Sequence, residues 1–307
     1  MKKMLFVYNP LSGKGLIRSS LSVIIEKFTV AGYQVTIHPT QSVLDAAGTV
    51  QDHAPEYDLI VCSGGDGTLD EVVTGWMHSH CTCPIGYIPA GSTNDFGASL
   101  GLPKQMEDAA DIITEGQVFY CDLGRFNEDY FVYVAAFGLF TDVSYQTPQD
   151  LKNALGHAAY LLEGMKRMGS WKSHYLKVVS DEFSDEGEFV FGMITNSNSI
   201  GGFKGIAGQN VELNDGLFEV MLVRTPQNLA DWQDIITAVL THDTRSKRAV
   251  MFRTRKMRIE SQEPVSWTRD GENGGSHYVV ELENLRESLP VLVPQSESEA
   301  VVRIARG

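Results

Sequence analysis

The first 125 residues alternate between short apolar runs and longer segments in which every third or fourth residue is apolar. The short runs predict strands, and the longer segments predict helices. Such alternation is typical of a doubly wound α/β fold, in which helices cover both faces of a parallel sheet. The predicted strands are 4–9, 33–38, 57–62 and 84–88, and the predicted helices are 16–30, a segment ending near 53, and 68–78.

The pattern changes after about residue 125, where strand-like runs dominate and helical spacing becomes rare. We therefore expect an α/β domain over residues 1–125 and a second domain over residues 126–289, a mostly antiparallel β-sandwich. The predicted strands in this part of the chain are 130–137, 173–180, 188–196, 217–224, 250–260, 265–269, 276–283 and 289–294, and the predicted helices are 149–168 and 228–241.

The composition is that of an ordinary globular protein, because 43% of the 307 residues are hydrophobic and 21% are charged. A chain of this length favours two domains. The longest apolar run, residues 130–140, is too short to cross a bilayer as a helix. The apolar run at the N-terminus stops at Asn9, which is too early for a signal peptide. We therefore expect a cytoplasmic protein without a transmembrane segment.

The formal net charge of −14 disfavours binding to nucleic acid. One segment departs from this average, because residues 245–258 contain seven basic residues and no acidic one. Two interpretations are open, a solvated strand and turn or a basic strip that meets anionic lipid headgroups. The basic residues of this strip are Arg245, Lys247, Arg248, Arg253, Arg255, Lys256 and Arg258.

The turn Ser63-Gly64-Gly65-Asp66-Gly67-Thr68 carries the clearest chemical signal of the chain. It links a predicted strand to a predicted helix, so its free N–H groups and the positive helix end can cradle a phosphate. Its glycines let the backbone approach an anion closely. The carboxylate of Asp66 would repel a phosphate unless a divalent cation lay between them. A tight strand–helix turn is the alternative, but Asp66 together with Thr68 and Glu71 favours a metal-assisted nucleotide site.

Two further polar loops follow predicted strands, at residues 9–15 and 89–95. Ligands bind beyond the carboxyl ends of the strands in this fold, so we expect the three loops to line one crevice. The loop 9–15 lacks the spacing of a P-loop, and turn chemistry explains it about as well, but beside residues 63–68 it can clamp a triphosphate. The third loop either caps a helix or holds the nucleotide or its metal through Ser92, Thr93, Asn94 and Asp95.

Two Asp-Gly turns lie in the second half of the chain, at residues 214–216 and 270–275. Asp-Gly favours a hairpin, and the tip of a hairpin can also aim a carboxylate into a cleft. Phosphoryl transfer to an alcohol needs a clamp on the phosphates, a divalent ion, and a carboxylate that orients or deprotonates the hydroxyl. The first domain offers the clamp, and these turns offer the remaining carboxylates.

The motifs that carry this chemistry are Asn9-Pro10-Leu11-Ser12-Gly13, Gly64-Gly65-Asp66-Gly67-Thr68-Leu69-Asp70-Glu71, Gly91-Ser92-Thr93-Asn94-Asp95-Phe96, Asn214-Asp215-Gly216 and Asp270-Gly271-Glu272. In this order they resemble the catalytic family of the diacylglycerol kinases, and they look like those of its soluble bacterial members. The resemblance runs from the first strand to about residue 294. The motifs are specific as a set, although each one alone is short.

The resemblance implies that ATP phosphorylates the hydroxyl of diacylglycerol to give phosphatidic acid, in a cleft between the two domains. It also implies that Glu272 is the catalytic base, that Asp270 can share this role, and that Asp66 links metal, water and nucleotide. The implied nucleotide contacts are Asn9, Pro10, Leu11, Ser12, Gly13, Thr40, Gly64, Gly65, Asp66, Gly67, Thr68, Leu69, Asp70, Glu71 and Ser92.

The resemblance further implies a structural magnesium ion at Glu212, Asp215 and Leu217, where main-chain oxygens contribute because leucine has no ligating side chain. It implies that residues 290–307 return to the first domain and that the protein is a homodimer. A lipid kinase without a transmembrane helix must meet its substrate at the membrane surface, and the strip 245–258 and the helix 149–168 are candidates for this contact. Two residues depart from the family pattern, Asp70 where Asn is common and Ser92 where Thr is common.

Alternative functions remain open at this point. NAD kinases and some phosphofructokinases also carry a GGDG turn, although Thr93-Asn94-Asp95-Phe96 looks like the lipid-kinase version. Another lipid alcohol could also be the acceptor. A non-catalytic nucleotide-binding regulator is disfavoured, because loss of function should remove the carboxylates first, and Asp66, Asp215, Asp270 and Glu272 are all present.

Overall fold

The N-terminal half of the chain alternates strands and helices, as the apolar spacing predicts. The structure is a computed structural model, and it describes residues 1–138, 172–197, 199–200, 203–204, 211–241, 243 and 245–295. The strands of this half are β1 (Lys2–Tyr8), β2 (Tyr33–Pro39), β3 (Leu59–Gly64) and β4 (Ile85–Pro89), and the helices are α1 (Ile17–Val30), α2 (Asp45–His53), α3 (Asp66–Ser79), α4 (Asp95–Ser99) and α5 (Met106–Glu115).

The four strands are parallel and lie in the order β2–β1–β3–β4. Successive residues of β1 point to opposite faces of the sheet. Met4 and Phe6 therefore join a core with α1 and α5, while Leu5 and Val7 join another core with α2 and α3. Every residue of β3 is buried, as expected for a parallel strand that is covered on both faces.

The C-terminal half is rich in antiparallel strands, also as predicted. Strand β12 pairs with β9 and β13, and β7 pairs with β9 and β14, all antiparallel. The core of this half surrounds Trp267, whose ring centroid lies 5.2 Å from that of Phe126 and 4.9 Å from that of Phe137. The elements are β5 (Gln117–Phe126), β6 (Asp129–Phe131), β7 (Val134–Gly138), β8 (His174–Ser180), β9 (Ser184–Thr195), β10 (Ser199–Ile200), β11 (Phe203–Lys204), β12 (Phe218–Arg224), α6 (Leu229–Thr241), β13 (Ala249–Thr254), β14 (Lys256–Arg269) and β15 (Glu272–Val293).

Strand β15 connects the two halves. It pairs antiparallel with β14 near its start and with β5 along the rest of its length. Near its end it also pairs in parallel with β4, where Val291 lies opposite Ile85. Hydrogen-bonded strands therefore run without interruption from the parallel sheet into the antiparallel region.

Several predicted element boundaries were wrong. The predicted strand 250–260 is two strands that separate at Arg255, and the predicted strands 276–283 and 289–294 are parts of β15. The register of β15 against β5 shifts between Leu285 and Leu289, which explains the polar interruption in the apolar pattern. Helix α5 and strand β5 were not predicted. The predicted helix 149–168 lies outside the described residues.

The architecture brings polar loops to one edge of the parallel sheet. Strands β1, β3 and β4 run in the same direction, so their carboxyl ends and the loops that follow them lie side by side. No helix in the described part of the chain combines the length and apolar character needed to cross a bilayer. The edge formed by the three loops is therefore the natural place to look for a binding site.

Candidate active site

The three loops predicted to share a crevice contact each other directly. The backbone N–H of Asn9 donates to the carbonyl of Ser63 at 2.9 Å, which joins the first loop to the turn after β3. The N–H of Ala90 donates to the carbonyl of Gly64 at 2.8 Å, which joins the third loop to the same turn. The side-chain amide of Asn9 also lies 3.4 Å from the hydroxyl of Thr68. The sequence prediction of three adjacent loops is therefore seen in the structure.

Glycines make this close packing of the loops possible. A Cβ atom at Gly13, whose φ is +55°, would lie 2.3 Å from the carbonyl oxygen of Ala90. A Cβ atom at Gly91 would lie 2.6 Å from the Cα of Gly65. Both distances are too short for any side chain, so the motifs need glycine at these positions for steric reasons.

Helix α3 begins at Asp66, directly after the glycine turn. The first N–H groups of a helix have no partner within it, and the N-terminus carries a partial positive charge. This end of α3 therefore faces the crevice with the features of an anion site. The structure therefore has a helix N-terminus directly after the glycine turn, as the sequence predicts, and phosphate binding there stays a prediction.

The third loop is shaped by Asn94, which has a left-handed backbone with φ of +53°. Its side-chain oxygen accepts the N–H of Gly91 at 2.7 Å, and its amide nitrogen donates to the carbonyl of Gly91 at 2.9 Å. The hydroxyl of Tyr87 donates to the carbonyl of Gly64 at 3.2 Å and thus supports the neighbouring turn. Asn94 is thus committed to the loop itself, and Tyr87 is a supporting residue that sequence reasoning missed.

The carboxylate of Asp66 is buried between these loops. Its Oδ2 accepts the N–H of Asp95 at 3.2 Å and the hydroxyl of Thr93 at 3.3 Å. Burial raises the pKa of Asp66, and the hydrogen bond from Asp95 works against this increase. Its Oδ1 is buried and has no hydrogen-bond partner among the described residues. A buried carboxylate oxygen without a hydrogen-bond partner is a ligand type that a hard cation such as Mg²⁺ prefers.

The predicted base, Glu272, reaches this crevice from the second domain. A Cβ atom at Gly67 would lie 2.8 Å from Glu272 Oε1, so the carboxylate rests against the first turn of α3. Glu272 is exposed at the start of β15. The structure therefore brings together the glycine turn of the first domain and the acidic turn of the second.

Asp270 has a different environment from Glu272. It is 3% exposed, and its Oδ1 accepts the N–H groups of Tyr133 and Val134, both at 2.9 Å. Its Oδ2 accepts the N–H of Val132. Burial raises the pKa of Asp270 to about 6, while these N–H groups act to lower it. Both oxygens therefore hold the turn onto the backbone at the start of β7.

Glu71 holds the segment before α2 and the start of α2 against α3. Its carboxylate oxygens accept the N–H of Leu44 at 2.9 Å and that of Ala46 at 3.2 Å. These bonds anchor the start of α2 to α3. Thr40, at the beginning of the same segment, donates its N–H to the carbonyl of Tyr8 at 2.9 Å. Thr40 and Glu71 thus lie next to the first loop and the glycine turn, and their contacts with a nucleotide stay predictions.

The remaining residues of the first loop and its neighbours complete the crevice. Leu11 is 79% exposed, and its N–H donates to Asn9 Oδ1 at 2.9 Å, which fixes the loop as a turn. A Cβ atom at Gly64 would lie 2.5 Å from that of Thr68, so the side chain of Thr68 already fills the space beside Gly64.

Leu69 is buried in the core beneath α3, where it anchors the helix. Pro10, Ser12, Gly65 and Ser92 lie in the loops already described.

The turn 214–216 is separate in its contacts from the crevice loops. Asp215 Oδ2 accepts from Arg253, and Asp215 Oδ1 accepts the N–H of Leu217 at 2.9 Å. Both carboxylate oxygens are therefore engaged, and Arg253 supplies the positive charge. Within the described residues, no group of three or more His, Cys, Asp or Glu side chains could hold a metal. The set Glu212, Asp215 and Leu217 combines two carboxylates with main-chain oxygen, so it is not such a group and stays a prediction.

A buried aspartate that sequence reasoning missed supports this turn. Asp122 Oδ2 accepts the N–H of Gly216 at 2.6 Å, and its Oδ1 accepts the N–H of Glu287 at 2.7 Å. Asp122 thus ties the turn to β15. Its position between two apolar residues of a β-strand was the only available signal, because its partners are far away in sequence.

The basic strip 245–258 is largely neutralised by acidic partners. Across the part of the chain that the structure describes, six of its seven basic residues form ion pairs, and Lys247 is the exception. The pairs are Arg245 with Asp243, Arg248 with Asp231, Arg253 with Asp215 and Glu219, Arg255 and Lys256 with Glu283, and Arg258 with Glu260 and Glu281. This arrangement favours the interpretation of a solvated strand and turn.

Comparison with known proteins agrees with this geometry. Residues 3–126 match the family described as diacylglycerol kinase catalytic domain, and residues 136–293 match the YegS C-terminal NAD kinase beta sandwich-like domain. A diacylglycerol kinase of Bacillus subtilis strain 168 is 33% identical over 302 residues, which cover 97% of this chain and 99% of that protein.

Two solved structures share the fold. A Bacillus anthracis protein proposed to be a diacylglycerol kinase is 25% identical, with a TM-score of 0.81 over 96% of each chain. An NAD kinase of Archaeoglobus fulgidus, solved in complex with ATP, is 12% identical, with a TM-score of 0.55 over 99% of this chain and 98% of that one. At that identity, the second similarity shows the fold alone.

The α/β domain with its glycine turn, joined to an antiparallel domain that contributes Glu272, defines a two-domain phosphotransferase. The similarity over nearly the whole length is more specific. The chain belongs to the diacylglycerol kinase family.

Proposed function

We propose that this protein transfers the γ-phosphoryl group of ATP to the hydroxyl of diacylglycerol, giving phosphatidic acid. One observation supports this most directly, the contact of the Glu272 carboxylate with the first turn of α3. That contact places an acidic side chain beside the part of the fold suited to phosphate. A hydroxyl acceptor bound between them would have a base on one side and the phosphoryl donor on the other.

The first domain binds the nucleotide in this proposal. The N-terminus of α3 and the glycine turn accept the phosphates, and the loops 9–15 and 89–95 close around them. Asp66 would hold Mg²⁺ through its free oxygen, and the ion would neutralise charge on the transferred phosphoryl group. Thr93 and Asp95 fix the orientation of this carboxylate by hydrogen bonds.

Glu272 acts as the general base in this proposal. It is exposed and lies against Gly67, whereas both oxygens of Asp270 are engaged by backbone N–H groups. Glu272 can therefore accept the proton of the lipid hydroxyl, while Asp270 holds the turn that carries it. A positioned base contributes about 10²–10⁴-fold to such a reaction.

Another acceptor is the second candidate. The NAD kinase of Archaeoglobus fulgidus has the same fold, so NAD is included as an acceptor in the test below. Other lipid alcohols would use the same phosphate site and the same base, and only the acceptor pocket would differ.

Labelled ATP, Mg²⁺ and a panel of acceptors test the proposal. The purified protein is incubated with diacylglycerol, a sphingoid base, a polyprenol, phosphatidylglycerol or NAD, and the labelled product is identified. We expect label in phosphatidic acid, and Glu272→Gln should lower kcat by about 10²–10⁴-fold with little change in ATP affinity. Glu263→Gln is the matched control, because the Glu263 side chain is 74% exposed and pairs with Lys172, which is 65% exposed. Label in NAD alone, or normal turnover of Glu272→Gln, would overturn the proposal.

We also propose that the protein acts in the cytoplasm as a homodimer, in peripheral contact with the membrane that contains its substrate. Light scattering measures the oligomeric state. Sedimentation with vesicles of phosphatidylglycerol and diacylglycerol measures the contact. A protein that stays in the supernatant while it phosphorylates detergent-dispersed diacylglycerol would contradict stable membrane contact.

A further inference from the structure

Two carboxyl groups from different domains, those of Asp70 and Asp270, face each other behind the crevice. Asp70 lies one turn into α3, and its carboxyl group is within hydrogen-bonding reach of that of Asp270. The Oδ1 atom of Asp70 is buried and accepts no hydrogen bond from any donor in the described structure. The function proposed above uses Asp270 only to hold the turn that carries Glu272, and it assigns no role to Asp70.

Two adjacent carboxylates in a low-dielectric environment cannot both be ionised without a large cost. A single proton removes this cost, because a protonated carboxyl group donates a hydrogen bond to its ionised partner. Asp270 already accepts three backbone N–H groups, which stabilise its anion. Asp70 lacks such donors at Oδ1, so the proton belongs on Asp70.

The charged groups around the pair agree with one shared proton. Burial and the neighbouring Asp270 raise the pKa of Asp70, Glu71 acts in the same direction, and Arg269 acts against them. Asp66 adds negative charge on the side of Asp270. The guanidinium group of Arg269 is directed to the carbonyl of Tyr130 and to Asp129 as well, so it does not neutralise the pair alone.

We propose that Asp70 is a positioning residue, which holds the turn 270–272 against α3 through a proton that it shares with Asp270. Glu272 lies two residues beyond Asp270 in the same turn, so this hydrogen bond sets the distance between Glu272 and Gly67. When the proton leaves to solvent, the two anions repel each other and the turn separates from α3. The stability part of this inference stands alone, and only its effect on turnover rests on the proposed function.

The sign of the pH dependence follows from the raised pKa values. The contribution of the pair to stability is complete below the ordinary value of 3.8 and declines as the pH rises to about 6 and beyond. Asparagine at position 70 would donate a hydrogen bond to Asp270 at every pH. Asp70→Asn should therefore keep the contact and remove its pH dependence.

Urea unfolding of the full chain between about pH 5 and about pH 8 tests the inference without any assay of turnover. We expect wild-type stability to fall relative to that of Asp70→Asn as the pH rises. Asp52→Asn is the matched control, because Asp52 is an exposed aspartate of α2 and should follow the wild type. Parallel curves for wild type and Asp70→Asn would overturn the shared proton.

Kinetics then separate positioning from a purely structural role. Asp70→Ala, which has no donor, should lower kcat by about 10- to 100-fold, and Asp70→Asn should restore it to near the wild-type value. The pH profile of kcat for Asp70→Asn should also lose the alkaline decline that this pair causes in the wild type. An Asp70→Ala variant with wild-type kcat, or an Asp70→Asn variant no more active than Asp70→Ala, would overturn the positioning role.

Discussion

At the scale of single residues, Gly67 and Glu272 form a tight contact between the glycine-rich turn and the acidic turn. A Cβ atom at Gly67 would lie 2.8 Å from Glu272 Oε1, and real Cβ atoms essentially never come so close. We expect Gly67→Ala to displace the carboxylate and to lower kcat by about 100-fold, because misplacement of a reacting group by about 1 Å has effects of that size. Steady-state phosphorylation of diacylglycerol measures this change.

Gly48 provides the matched control for this substitution. It is also a helical glycine, in α2, but nothing lies within 4 Å of the place that a Cβ atom would take there. Gly48→Ala should therefore leave kcat unchanged and stabilise the protein by about 0.5–1 kcal/mol, since alanine favours the helix. If Gly67→Ala and Gly48→Ala had the same kcat, the contact with Glu272 would have no role in turnover.

At the scale of elements, the crevice depends on loops that approach at backbone distance. Gly13→Ala would place a Cβ atom 2.3 Å from the carbonyl oxygen of Ala90 and push the first loop away from the third. We expect the KM for ATP to rise by about tenfold or more, because the loops would no longer close on the phosphates together. ATP titrations at saturating diacylglycerol measure the effect.

Gly32 separates steric clash from backbone strain in this test. Its φ of +90° is also unfavourable for alanine, but nothing lies within 4 Å of a Cβ atom there. Gly32→Ala should cost about 1–2 kcal/mol of stability, from the left-handed backbone, without a change in the KM for ATP. An equal rise of KM in both variants would mean that general destabilisation, and not loop contact, causes the effect.

The elements also show how far local sequence can predict this fold. The parallel strands and the three loops follow from apolar runs and glycine turns, which are local signals. The break between β13 and β14 at Arg255 and the continuity of β15 were missed, because pairing with neighbouring strands determines where these strands begin and end. Helix α5 was missed too, although Glu107 and Asp108 in its first turn are a helix-start signal.

The residues of the candidate active site were also predictable only where the signal is local in sequence. Local motifs predicted Asp66 and its turn, and a family resemblance singled out Glu272. The contacts of Asp270 with residues 132–134, of Asp70 with Asp270, and of Asp122 with Gly216 join segments that are distant in sequence. No periodicity or turn signal encodes such contacts. The roles assigned to the individual site residues stay predictions until the substitutions above are measured.

At the scale of the whole molecule, the strand pairing of β15 and the hydrogen bonds of Asp122 connect the two halves. Strand β15 pairs with β14 and β5 and reaches β4 at its end. Asp122 links the turn 214–216 to the irregular part of β15 near Glu287, which itself has a left-handed φ of +50°. Since buried hydrogen bonds cross between these segments, we expect the halves to unfold together.

Asp122→Asn tests whether the hydrogen bonds of Asp122 couple the two halves. An asparagine side chain keeps the shape of aspartate but offers one accepting oxygen where two are needed. Either the N–H of Gly216 or that of Glu287 would then face an NH₂ group, and an unpaired buried donor costs about 1–3 kcal/mol. Calorimetry should show a single transition at lower temperature. Asp58→Asn is the control, since exposed Asp58 accepts the N–H of Lys3 at 2.7 Å and should change stability by less than about 0.5 kcal/mol. Two separate transitions, or equal effects of the two variants, would show that Asp122 does not couple the halves.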